Sequence, residues 1–163
     1  IKKVDKISTK WNYQAVAGSH LPPLFSERVN VVIFYDFEVF KEDWLAVFID
    51  VTKKKEYVII NNPDELKALY EANSKDIWVG YNNRHYDQYI FKGILLGMNP
   101  KRINDWIIVE KREGWQFSSA FNKVPMINYD VMPNPPVGLK TLEGFLGSNI
   151  KETDVDFRIN RKD

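Results

Sequence analysis

From position 31 onward, alternation and helical spacing divide the chain into elements. Val31–Tyr35 is an unbroken apolar run that continues into Asp36, Phe37 and Glu38, and Val31–Glu38 predicts a first strand. Trp44–Val51 predicts a second, with Leu45, Val47, Ile49 and Val51 on one face. After a turn at Lys53–Lys55, Glu56–Asn61 predicts a third. Connections this short imply an antiparallel meander. Asn62 as cap, Pro63 at the first helical position, then Asp64 and Glu65 in the first turn predict a helix to about Asn73, with Leu66, Leu69 and Tyr70 inward. Ile77–Tyr81 predicts a fourth strand, and Tyr86–Leu96 a second helix closed by Gly97. Strand, helix, strand should bring the fourth strand parallel to the first through a right-handed crossover.

The pattern is less decisive further on. Pro100–Gly114 reads as helix, but Trp106, Ile107, Ile108 and Val109 leave a strand open. Val124–Val131 predicts a fifth strand, and Pro133, Pro135 and Pro136 then break the chain. A helix is expected over Leu139–Leu146, stopped by Gly147, followed by a tail with little periodicity. The fold class expected is α/β: a mixed five-stranded sheet, three antiparallel strands and then parallel additions, flanked by helices. That element order suits a ribonuclease-H-like architecture.

Residues 1–28 differ in kind. Lys2, Lys3, Lys6, Lys10 and Arg28 face only Asp5 and Glu27, and Gly18, Ser19, Pro22 and Pro23 interrupt any period. They predict a basic N-terminal arm, with residues 29–163 as the folded domain. The whole chain, 163 residues with 44% hydrophobic and 14% aromatic content, has the composition of one globular domain. It contains no cysteine, which excludes a disulfide scaffold and a thiolate metal site and fits a reducing, cytoplasmic location. No apolar stretch approaches the roughly 18 residues of a membrane span, so no membrane partner is expected. With 23 basic and 22 acidic residues the net charge is +1, and bulk charge makes no case for nucleic acid. The first residue is Ile1, which suggests a piece of a longer protein.

Candidate chemistry lies in two stretches. In "FYDFEVF", Phe34–Phe40, Asp36 and Glu38 share one face of the first strand, about 7 Å apart along it. In "VGYNNRHYDQYI", Val79–Ile90, Asp87 falls in the first turn of a helix that starts where the fourth strand stops. If strands one and four are parallel neighbours, their carboxyl ends adjoin, and all three acids reach one cleft. Three such carboxylates repel unless a cation lies between them. Oxygen-only ligands favour Mg²⁺ or Mn²⁺. Two such ions about 3.5–4 Å apart serve phosphodiester hydrolysis.

"DFE" followed by "NNRHYD" resembles the first two motifs of the DEDD 3′–5′ exonucleases, and the motif spacing and strand order resemble the proofreading domains of B-family DNA polymerases. "INYDV…GLKTLEGFLG" and "VDFRINR" resemble phage-encoded relatives, so the likeness covers about residues 30–160. The resemblance implies metal ligation and catalysis by Asp36, Glu38 and Asp87, with two Mg²⁺ or Mn²⁺ ions. It implies contacts from Asn82 and Tyr86 to a single strand, a wedge at Phe37 or Val39 near the terminal base, and a phosphate contact from Lys140. The implied partner is the 3′ end of single-stranded DNA or a primer-template, with a linked polymerase domain, in a phage-infected bacterial host. The chain departs from the family in one respect: no Tyr-x₃-Asp or His-x₄-Asp follows, so a fourth carboxylate is expected beyond Asp163 and weak activity from this chain.

Plainer roles compete. Asn82 and Asn83 suit helix caps, Tyr86 suits core packing and His85 a surface position. Asp130 could support the cleft without ligating. Lys101, Arg102, Lys111, Arg112 and Lys123 with Trp106 and Trp115 form the basic and aromatic mixture of single-strand binders, diluted by Asp105, Glu110 and Glu113. The rival functions are a catalytically incomplete nucleic-acid-binding or docking module, and a metal-dependent endonuclease.

Overall fold

The computed structural model describes residues 30–138 and residue 141. Its strands are β1 (Val32–Val39), β2 (Trp44–Asp50), β3 (Lys55–Ile60), β4 (Ile77–Gly80) and β5 (Ile127–Asp130). They form one sheet in the order β3-β2-β1-β4-β5, with β1 central. β1 pairs antiparallel with β2 and β2 with β3, whereas β1–β4 and β4–β5 are parallel. The expected α/β class, a mixed five-stranded sheet flanked by helices, is therefore present. Among the described residues no helix is long and apolar enough to cross a membrane. The basic arm, the helix expected over Leu139–Leu146 apart from Thr141, and the tail after it lie outside the described residues.

Helix α1 (Pro63–Ala72) starts as its cap signals require. The Asn62 side chain accepts from Glu65 N–H at 3.1 Å and donates back to the Glu65 carboxylate at 3.1 Å. Helix α2 (Asp87–Leu95) follows β4, and α3 (Pro100–Asn104) follows α2. The segment left open between helix and strand is helical. Asn99 caps α3 and Pro100 opens it, committing the backbone before the branched residues Ile107, Ile108 and Val109 are reached. Those residues fall in a π-turn, Asp105–Val109, closed by a bond from Glu110 N–H to the Asp105 carbonyl at 2.8 Å. The fifth strand is shorter than expected. Val124 N–H is used by the Phe121 carbonyl and Pro125 has no N–H to give, so pairing begins only at Ile127.

Helices α1, α2 and α3 cover one face of the sheet. Ile33, Tyr35 and Phe37 of β1, Phe48 of β2 and Trp78 of β4 meet Leu66, Ile90, Phe91 and Ile103 there, all buried. Trp78 and Phe91 pack edge-to-face with centroids 5.1 Å apart, and Phe37 lies 5.5 Å from Phe91. On the other face Phe34, Ile49, Val58, Tyr129 and Val131 are exposed, and no described element covers them.

Candidate functional site

β4 ends at Gly80, paired with β1 only as far as Phe34↔Val79, while β1 continues to Val39. The edge of β1 beyond that point must find other partners for its backbone groups. Phe37 N–H donates to Asp87 Oδ1 at 3.0 Å. That bond fixes the first turn of α2 against β1, with Asp36 and Glu38 on either side of Phe37. That one backbone hydrogen bond brings Asp87 to the end of the sheet where β1 carries Asp36 and Glu38.

Their electrostatics agree with that closeness. Burial, and then the charge of Asp36, push Asp87 up to about 7; the Phe37 N–H opposes the shift and Glu38 adds to it. Burial also raises Asp36, with the Phe37 N–H acting against it, and raises Glu38, with Asp36 adding to it. The Tyr86 hydroxyl is raised by burial and then by Asp87, Glu38, Asp36 and Asp105. Ionising all three carboxylates together is unfavourable.

A buried network holds the loop that delivers Asp87. Asn83, fully buried, donates through Nδ2 to Asn128 Oδ1 at 3.0 Å and to the Tyr129 carbonyl at 2.9 Å. The Tyr35 hydroxyl donates to the same Asn128 oxygen at 2.9 Å. Gly80 leaves room for Asn83, since a Cβ there would stand 2.7 Å from its Nδ2. Asp130 accepts from Asn82 N–H at 2.9 Å, Arg84 N–H at 3.1 Å and Met132 N–H at 2.9 Å. Asp130 therefore anchors backbone. Asn82 takes a left-handed φ of +56°, which asparagine tolerates, and Asn83 serves the loop's core and not a helix cap.

Glu38 and Tyr86 open on a cleft of about 430 Å³ whose far wall is Lys101, Asn104, Asp105, Ile108 and Val109. The Tyr86 hydroxyl donates to Asn104 Oδ1 at 2.8 Å, and Lys101 pairs with Asp105. Phe37 and Val39, expected as a wedge, are 3% and 5% exposed and form the cleft floor. His85 is on the surface, as its plainer role suggested. Lys140 lies outside the described residues. The Asn104 and Asn128 contacts escaped the sequence reading, because each joins residues far apart in the chain with no local pattern to mark it.

Among the described residues no three His, Cys, Asp or Glu side chains stand close enough together to hold a cation as they are. The donor chemistry nevertheless suits a hard cation. Asp36, Glu38 and Asp87 offer only oxygen, and each is pushed toward its protonated form, which a positive charge between them would reverse. Comparison with protein-family models, with characterised proteins and with solved structures returned no match.

Proposed function

We propose that this chain is a 3′–5′ exonuclease domain of ribonuclease-H-like fold, acting on the 3′ end of single-stranded DNA beside a phage-type DNA polymerase domain. One observation carries the reading: the Phe37 N–H bond to Asp87 at 3.0 Å draws the acid of the second motif to the two acids of the first. The open end of β1 also suits a ligand, because parallel strands present their carboxyl ends to a cleft there. Asp36, Glu38 and Asp87 would hold Mg²⁺ or Mn²⁺, which when bound supplies an activated water and neutralises the departing oxygen. The chain's own residues orient and shield. Asp87 aligns β1 with α2, Asn104 holds the Tyr86 hydroxyl over the cleft, and the Lys101–Asp105 pair bounds the side away from the sheet.

The test is release of nucleotides from a 3′-labelled single strand with Mn²⁺, using this chain and one extended past Asp163, since the resemblance calls for a fourth carboxylate there. Stepwise shortening abolished by Asp36→Ala supports the proposal. Equal cutting of a strand with a blocked 3′ end would favour the endonuclease, and strand binding without cleavage by the extended chain would favour the binding module.

A further inference from the structure

Of the two tryptophans in the basic stretch, Trp106 is occupied internally. The Arg112 guanidinium lies 4.2 Å from the centre of its ring, and Phe117 packs edge-on at 5.7 Å. Trp115 is 62% exposed. It stands on a 3₁₀ turn, Gly114–Gln116, that Gly114 seats against α2, where a Cβ would collide with the Tyr89 ring. An exposed aromatic on a fixed backbone is a stacking platform that needs little ordering.

Trp115 borders a cavity of about 430 Å³ whose other walls include Gln88 and Lys92 of α2 and Gln116, Ser118 and Asn122. Lys92 is half-buried and forms no ion pair among the described residues. Its burial lowers its pKa. Asp105, Glu110 and Glu113 dilute the basic stretch as a sequence, but Asp105 and Glu110 pair with Lys101 and Arg112. None of the three lines this cavity, although the charge of Glu113 reaches Tyr89 on its wall.

We propose that this cavity binds one nucleotide unit, its base stacked on Trp115 and its phosphate on Lys92, with the amide and hydroxyl groups facing the sugar and base edge. Lys92 follows Asp87 by five positions on the same helix, about 7.5 Å along its axis and about 140° around it, so the cavity and the acids lie on different sides of α2 and a strand would have to wrap the helix to touch both. The proposal concerns binding and does not depend on cleavage.

The experiment titrates the full chain into a fluorescently labelled oligothymidylate in EDTA and reads anisotropy. Trp115→Ala and Lys92→Gln should each weaken binding by about tenfold, Lys92→Arg should restore it, and Lys92→Gln should lower the salt slope by about 0.7. Trp115→Ala should also erase any preference over an abasic strand of equal length. Competition by thymidine monophosphate at matching concentrations assigns the site to a free nucleotide, and failure of that competition assigns it to a strand. Either result, with both variants weakened, supports the site. Unchanged affinity in both folded variants overturns it and leaves the nuclease proposal standing. Binding of the expected kind by an extended chain that never cleaves overturns the nuclease proposal alone.

Discussion

The two faces of the sheet are built from alternate residues of the same strands, yet they are treated differently. Tyr35 and Phe37 of β1 are 4% and 3% exposed beneath α2, while Phe34 on the other face is 40% exposed. β2 repeats the contrast with Phe48 at 0% and Ile49 at 46%. Asp36 and Glu38 belong to the open side, and Asp87 arrives from the helical side. The candidate site lies where the two meet, at the end of β1 that β4 does not reach. A strand packed on one side only can carry carboxylates beside a core while leaving Asp36 and Glu38 partly open to solvent.

The contrast can be broken most forcefully in the core. Phe91→Ala removes a ring in contact with Tyr35, Phe37, Phe48, Tyr70 and Trp78, and should destabilise the fold by about 3–5 kcal/mol. Denaturant midpoints check this, and a loss under about 1 kcal/mol would show that the helical face is not the stabilising one.

Asp87 sharpens the junction through pH. Burial holds its folded pKa at about 7, above the 3.8 of an ordinary aspartate, so between these values the folded state holds a proton that the unfolded state has released. Stability attributable to this group is full below about pH 4, falls as pH rises, and is lost above about pH 7. Asp87→Asn, which keeps an oxygen for the Phe37 N–H, should therefore stabilise the protein by about 2–4 kcal/mol at pH 8 and by little at pH 4. Thermal melts at the two pH values decide it. A variant less stable than the parent at pH 8 would contradict the assignment.

Asp130 tests how the loop is held. Asp130→Ala removes the acceptor of three backbone N–H groups and should cost about 1–3 kcal/mol. Hydrogen exchange at Asn82, Arg84 and Met132 should quicken while the amides of Trp78 and Phe91 stay protected. The smallest effect is expected on the open face, where Ile49→Thr should change stability by less than about 1 kcal/mol in the same denaturant experiment. A core-sized loss there would mean that the face is covered in solution.

The sheet was largely legible in the sequence because its signals are local. Short connections dictated the β1–β2–β3 meander, and Asn62, Pro63, Asp64 and Glu65 marked the helix that carries the chain across to β4. The start of β5 and the π-turn were not legible. An apolar cluster such as Trp106–Val109 has no period that separates strand from helix, and the cap at Asn99 decided the matter from outside it. For the site, the parallel pairing of β1 with β4 allowed Asp87 to be placed against the end of β1 that carries Asp36 and Glu38. What could not be foreseen was how the loop is held. The Asn83–Asn128 pair and the three bonds of Asp130 span 45 or more residues, apart from the local one to Met132. Such contacts exist only after the sheet has formed.

The most direct test of the central claim is Mn²⁺ titration at pH 8 followed by paramagnetic broadening of the backbone amide signals. If Asp36, Glu38 and Asp87 form one cation site, broadening should begin at residues 36–39 and 86–87 and disappear from both stretches in the Asp36→Ala, Asp87→Asn double variant. Broadening that begins elsewhere, or that persists at these residues in the double variant, would contradict it.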